Sequence, residues 1–311
     1  MENETKQQTV VEWWQSKAAR PELEGCASKL NEAQDTQDLV HRFSTYAQAL
    51  NLLWSSKARL SNDRERSDSQ GFRDILLSLP ASRQKELCDS SEMLALANFA
   101  PQILNVKTLR ESELYVPDET IPHRLKTDAS VEHRQLTNSL KRWHDNPTEE
   151  TRLQTLRKLG TLLYVVRSNI AHGEKTMRGP DSAKAERDKQ VCEIALPMIH
   201  AVADVLLDYP TRKLIAYGTL RPSEPNHKVL EPLTDQQWMD IEVEGTIVDR
   251  EAGLKGFRWC DSRTRHKAML LKSSQLPSFW GRLDSFEGSA YRRTLATALV
   301  GELTVVATIY Q

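Results

Sequence analysis

The chain has 311 residues, with 42 Lys and Arg against 43 Asp and Glu and 39% hydrophobic residues. That length fits two domains of ordinary size, and the near-zero charge balance excludes a bulk electrostatic attraction to nucleic acid, so any RNA contact must be local. No apolar run approaches the roughly 18 residues of a membrane span, and Met1–Gln8 lacks the basic start and apolar stretch of a leader. A cytoplasmic location is therefore expected. The four cysteines, Cys26, Cys88, Cys192 and Cys260, are far apart and form no CxxC, which fits a reducing compartment. No metal and no cofactor are implied.

Glycine and proline divide the chain. Residues 1–210 hold 5 Gly and 9 Pro, whereas residues 211–311 hold 7 Gly and 4 Pro in half the length. The first part reads as helices and the second as short strands with tight turns, an α+β multidomain protein. The expected organisation is an N-terminal helical extension at 1–34, a helical bundle at 35–210 and a small mixed β-barrel at 211–311. Trp13 and Trp14 fall in the extension, where core packing is the plainer role and an interface anchor the other.

Residues 36–60 place Leu39, Val40, Phe43, Tyr46, Ala47, Leu50, Leu53 and Trp54 on one helical stripe. Ser61–Gln70, SNDRERSDSQ, reads as a loop, followed by a short helix at 72–79 stopped by Pro80. His123 precedes the next element, an amphipathic helix at 131–144 that contains His133 and His144. These histidines form no HxxxH pair, so they give metal binding little support. Asn146-Pro147-Thr148-Glu149 reads as a cap, a proline in the first turn and a Glu at the third position. The helix it opens carries Leu153, Leu156, Leu159, Leu163, Val166 and Ile170, with Gly173 as its expected stop. Asp181 and Ser182 cap a last helix through Val191, Ile199 and Leu206, expected to end at about Asp208 ahead of Pro210.

The run Arg167-Ser168-Asn169-Ile170-Ala171-His172 lies at the end of the core helix. Arg at this place can neutralise a phosphodiester, and His can move a proton to or from a ribose hydroxyl. A His in a last turn also complements the helix dipole, and on spacing alone that plainer reading is the stronger. The segments RFSTYAQALNLLWSS and LLYVVRSNIAHGEK together resemble the HEPN superfamily over residues 35–208. The resemblance implies a metal-independent endoribonuclease acting as a homodimer on RNA. Arg167 would hold the scissile phosphate and His172 would be the general acid/base, with Ser168 as an auxiliary group.

In the second part, 213–217 reads as a strand running into Gly218-Thr219-Leu220-Arg221-Pro222. Such a turn can aim successive N–H groups at an anion, although a plain hairpin turn is the simpler reading. Strands are expected at 242–248, 256–259, 266–271, 291–300 and 303–310, and a helix at 276–286 opened by Pro277. Arg263, Arg265, His266 and Lys267 form a basic cluster, ordinarily a solvated face.

YGTLRP at 217–222 and LDSFEGSAYRR at 283–293 resemble the γ-glutamylcyclotransferase-like family over residues 211–311. The resemblance implies a small mixed barrel that releases 5-oxoproline from a γ-glutamyl compound. Glu287 would be the base, the backbone of Gly218, Thr219 and Leu220 would hold the substrate carboxylate, and Tyr217 and Tyr291 would shape the pocket. Fusion of the two domains resembles bacterial toxin or anti-phage defence proteins. The alternative is a ligand-binding regulatory protein in which one or both domains are vestigial.

Overall fold

The computed structural model describes residues 20–60, 68–99, 129–171, 182–249, 255–259 and 264–311. Two compact units account for them: a helical unit, Glu32–Ala203, and a second unit that combines the chain up to Asn31 with Asp204–Gln311.

The helical unit holds α2 (Leu39–Leu60), α3 (Asp68–Leu77), α4 (Ala81–Cys88), α5 (Ser91–Asn98), α6 (Ala129–Asp145), α7 (Glu149–Ala171) and most of α8 (Ser182–Leu206). Apolar periodicity sets its core: Phe43, Tyr46, Ala47, Leu50 and Leu53 of α2 are buried, as are Leu156, Leu159, Leu162, Leu163 and Val166 of α7. Helix α7 is the hub, packing against α2, α3, α4 and α6.

Polar side chains close the ends of the shorter helices. Gln84 is buried and its Nε2 donates to the carbonyl of Leu77 at 2.8 Å, while its Oε1 accepts from Arg152 Nε at 3.0 Å. His133 Nε2 bonds the Leu96 carbonyl and Thr137 Oγ1 donates to the Ala97 carbonyl, so α6 satisfies the last turn of α5. Burial lowers the pKa of His133, the hydrogen bond to Leu96 opposing it only in part. His133 is thus a structural cap, and His144 is exposed on α6.

Three local expectations change. Asp68–Gln70 opens α3 rather than ending a loop, and 61–67 lies outside the described residues. The cap of α7 is Thr148, not Asn146: Thr148 Oγ1 accepts from Thr151 N–H while Thr151 Oγ1 accepts from Thr148 N–H, a reciprocal pairing that fixes the start at Glu149. Helix α8 ends at Leu206 rather than Asp208, because Asp208 and Tyr209 both take left-handed backbone, at φ 61° and 56°. Gly173, Asp181, His123, Trp13 and Trp14 lie outside the described residues.

The second unit is built on six strands: β1 (Lys213–Ala216), β2 (Gln237–Asp249), β3 (Lys255–Trp259), β4 (Arg265–Lys272), β5 (Arg293–Val300) and β6 (Leu303–Tyr310). Their order is β3-β2-β4-β1-β6-β5, and β5 returns to β2 through Glu242↔Leu299 and Val243↔Ala298. Five strands therefore close a barrel, mixed because β1 and β6 are parallel, and β3 extends the far half of β2. Gly245 marks where β2 changes partner. A Cβ there would stand 2.4 Å from the Arg258 carbonyl oxygen and from the Phe257 ring, so only glycine fits.

Alternation along the strands sorts the faces. Ile215, Ile241, Val243, Leu270, Ala296, Ala298, Val305, Ala307 and Ile309 fill the interior with Phe257 and Tyr217. Leu214, Ala216, Leu271 and Tyr310 form an outer patch covered by Leu276, Trp280 and Leu283 of α9 (Leu276–Glu287). Helix α1 (Arg20–Asp35) attaches through its first part: Asn31 Nδ2 donates to the Leu295 carbonyl at 2.8 Å and Asn31 Oδ1 accepts from Leu295 N–H at 2.7 Å. A single side chain thereby mimics a strand partner for β5. Arg20 adds an ion pair to Glu244. Burial works against ionisation of Glu244, yet hydrogen bonds from Arg20 and Arg265 outweigh it and hold the carboxyl below its ordinary range.

Candidate functional site

The chain from Tyr217 to Leu220 leaves the barrel at the C-terminal end of β1. It does not form a hairpin: β1 pairs with β4 and β6, and the segment winds through Asn226 and a 3-10 turn at His227–Val229 before β2 begins. The carbonyls of three successive residues are fastened by that return. Gly218 O accepts from Arg221 N–H and Nε–H at 3.3 and 3.2 Å, Thr219 O from Asn226 N–H at 3.1 Å, and Leu220 O bonds His227 Nδ1 at 3.2 Å. Among the described residues, no protein acceptor takes the N–H of Gly218, Thr219 or Leu220. Gly218 and Thr219 are exposed, and a Cβ on Gly218 would meet nothing within 4 Å. The segment is thus a turn with its acceptors spent and, at Gly218 and Thr219, an exposed backbone whose donors are unused, the arrangement an anion can use.

Helix α9 brings Glu287 to the same pole, near enough to Tyr310 for its charge to act on that phenol, and the Tyr310 carbonyl accepts from Tyr217. Leu220 shares one apolar cluster with Trp280 and Leu283 of α9 and with Tyr291 and Tyr310. Glu287 is the last residue of α9 and is half-buried, and burial raises its carboxyl pKa above the ordinary glutamate value. Among the described residues it has no hydrogen bond or ion pair to stabilise the anion. The next residue, Gly288, has φ 66° and ψ −167°, a conformation open essentially to glycine alone. The Glu-Gly order is therefore a backbone requirement: Gly288 ends the helix and sets the chain direction directly after the carboxylate.

Tyr217 Oη donates to the Tyr310 carbonyl at 2.9 Å, and Tyr291 Oη donates to the Lys255 carbonyl at 3.0 Å. Both hydroxyls are spent on the backbone, so the two rings provide shape rather than donors. Trp280 and Tyr310 at this pole lie outside both sequence motifs, and Asp284 and Arg293 lie inside one without having been singled out. Tyr310 Oη donates to Asp284 Oδ1 at 2.6 Å, and Asp284 pairs with Arg293, whose guanidinium lies 5.0 Å over the Trp280 ring. Burial first, then the Asp284 hydrogen bond and charge, push the Tyr310 phenol upward, so it stays protonated at neutral pH. The alternation of β6 and the i, i+4 pair Trp280/Asp284 would have put these groups on one face. Their meeting depends on α9 lying over β6, which is a tertiary fact.

In the helical unit, Arg167 and Ser168 sit near the C-terminal end of α7, both half-buried. His172 lies outside the described residues. Of the basic cluster, Arg265 is tied to Glu242 and Glu244 across β2 and β4, and His266 Nε2 bonds the Gly245 carbonyl at 3.0 Å. Lys267 is exposed, and Arg263 is outside the described residues. Cys26, Cys88 and Cys192 are buried thiols outside any disulfide, and burial pushes those of Cys26 and Cys88 up to about 12. Cys260 is outside the described residues.

The described residues form a helical unit and a closed mixed barrel, with the half-buried Glu287 near Tyr310 and the Gly218–Leu220 turn at the same end of β1. Compared with known proteins, the chain matches no family model, no curated protein and no solved structure. No helix among the described residues is long and apolar enough to cross a membrane.

Proposed function

We propose that the barrel unit is a γ-glutamylcyclotransferase-like site with Glu287 as its general base. The observation that carries the reading is the half-buried, unpaired Glu287 at the same pole as the Gly218–Leu220 turn. The N–H groups of that turn hold the α-carboxylate of a γ-glutamyl ligand. Glu287 takes a proton from the α-ammonium, and the freed amine nitrogen attacks the γ-carbonyl carbon. A C–N bond closes the five-membered ring as the bond to the leaving amine breaks. The proton on Glu287 passes to that leaving nitrogen, the ring nitrogen gives up its second proton to solvent as the intermediate collapses, and 5-oxoproline departs. A base whose pKa is raised toward the working pH accepts and returns the proton with little penalty either way. The test is 5-oxoproline release from a panel of γ-glutamyl amines and peptides. Glu287→Gln should lower the rate by about 10²–10⁴-fold with ligand affinity kept. Binding without turnover in the wild type would make the barrel a ligand-binding module instead.

For the helical unit we propose a metal-independent HEPN-type ribonuclease, assembled as a homodimer so that two copies of Arg167 and His172 line one cleft. The support is the motif together with the placement of Arg167 near the end of α7, the hub of the unit. His172→Ala should abolish cleavage of total RNA without unfolding, and cleavage that stops with EDTA would contradict the assignment. The role proposed with it, in toxin or anti-phage defence systems, is supported by the resemblance of the fusion to such proteins.

A further inference from the structure

The other end of β1 carries a concavity of about 310 Å³. It lies across the four residues of β1 from the Tyr217 turn, about 13 Å away at the rise of an extended strand. Arg212, Lys213 and Lys272 line it, with the carboxylates of Asp208 and Asp235. Strand register explains the clustering. Lys272 of β4 is the cross-strand partner of Lys213 on β1 and of Gln237 on β2, so the three side chains leave the barrel on one face. Like charges directly opposite each other are unfavourable, and here only one of the two is neutralised. Lys213 Nζ donates to Asp208 Oδ2 at 2.6 Å, and the Lys213 side chain is 5% exposed. Lys272 is partly exposed and has no hydrogen bond or ion pair among the described residues.

The backbone of this rim is costly in a way that helix termination alone does not need. Tyr209 N–H bonds the Asp204 carbonyl at 2.7 Å and Asp208 N–H the Val205 carbonyl at 3.3 Å, the usual closing pair at a helix end. Glycine normally takes the left-handed position there. Here an Asp and then a Tyr do so, against the steric preference of both residue types. What those two side chains add is electrostatic: Asp208 anchors Lys213, and the Tyr209 ring lies 4.1 Å under the Arg212 guanidinium. Asp235 is turned into the β4–α9 connection, accepting from Ser273 Oγ and from Ser274 N–H and Oγ at 2.7 and 2.6 Å. Its lone pairs are engaged by neutral donors, and Lys272 is left to face the cavity.

We infer that this concavity binds a small oxyanion, the phosphate or carboxylate of a metabolite, between Lys272 and Arg212. Its volume is at the lower end of small-molecule pockets, room for the anionic group and a short organic portion. The site is separate from the Glu287 pole, and its fate does not depend on the cyclotransferase reading.

The test is NMR on the ¹⁵N-labelled full chain at low ionic strength, titrated separately with inorganic phosphate and with acetate. The expected result is saturable shifts confined to amides of residues 208–213 and 272–274. Lys272→Gln removes one charge-assisted hydrogen bond to the anion and should weaken binding about tenfold or more. Saturation by phosphate alone identifies a phosphoryl ligand, and saturation by acetate alone a carboxylate. Lys267→Gln, on the same strand but outside the cavity, should bind like the wild type. No saturable shift with either anion, or an equal weakening in Lys267→Gln, would overturn the assignment.

Discussion

Asp208→Asn isolates the ion pair on which the start of β1 depends. Asparagine matches aspartate in size and tolerates the left-handed backbone that position 208 adopts, so the substitution removes charge and little else. The Lys213 ammonium would then be left almost entirely buried, at 5% side-chain exposure, opposite Lys272. Breaking a buried pair by deleting one partner costs about 3–5 kcal/mol. The Asp208 side chain is 24% exposed, so water can reach the ammonium from that side, and the asparagine amide oxygen can still accept from it, so the low end of the range applies. About 3 kcal/mol corresponds to roughly a hundredfold loss of local protection. The readout is hydrogen exchange by mass spectrometry on peptides covering β1 and β4, because a chain of two compact units has no single unfolding transition to measure. Adding Lys213→Met removes the stranded charge and should restore most of the protection. Unchanged exchange in Asp208→Asn, or a double variant no better than the single, would refute the reasoning.

Gly288→Ala should destabilise the end of α9 by about 1–3 kcal/mol through its φ of 66°, since the space around a Cβ is open; Gly218→Ala, with open space and no left-handed φ, should stay within about 0.5 kcal/mol by the same exchange measurement. Asn31→Ala orphans both backbone groups of Leu295 and should cost about 1–3 kcal/mol, seen as faster exchange of β5 with β4 unaffected. Glu287→Gln should be more stable than the wild type at neutral pH. Burial raises the folded-state pKa of Glu287, so its ionised form is penalised in the fold; the wild type recovers that stability as pH falls through the raised pKa, and the two denaturation curves should converge in acid. A variant less stable at neutral pH would mean that Glu287 anchors the fold.

Local chemistry was readable where one side chain pattern decides the outcome. The stripe Phe43, Tyr46, Ala47, Leu50, Leu53 is buried as its spacing requires, and β3 to β6 lie within two residues of the strands expected at 256–259, 266–271, 291–300 and 303–310. Boundaries that depend on competing hydrogen bonds were not. SDSQ is polar enough to look like a loop, yet Asp68–Gln70 belong to α3. Asn146 has a better cap competitor in Thr148 because Thr151 answers it. Asp208 looks like helix sequence, but the bonds from its N–H to Val205 and from Tyr209 N–H to Asp204 close the helix in a left-handed turn, and its carboxylate anchors Lys213. Strand β2 begins at Gln237, five residues before Glu242, since Met239 and Ile241 already alternate inward. At the candidate site, Glu287 and the Gly218 turn were marked by short motifs. The bond from Tyr217 to Tyr310 spans 93 residues and the closure of β5 on β2 rests on two residue pairs. Neither leaves a local trace.

The measurement that bears most directly on Glu287 as a base beside the backbone cradle is the pH dependence of kcat/KM for 5-oxoproline release. The acid limb of that profile reports the base in the free enzyme. The rate should rise with pH through an inflection above the ordinary glutamate value, because burial raises the Glu287 pKa, and the inflection should vanish in Glu287→Gln along with most of the rate. An inflection that persists in Glu287→Gln, or a profile flat across the acid range, would contradict the assignment.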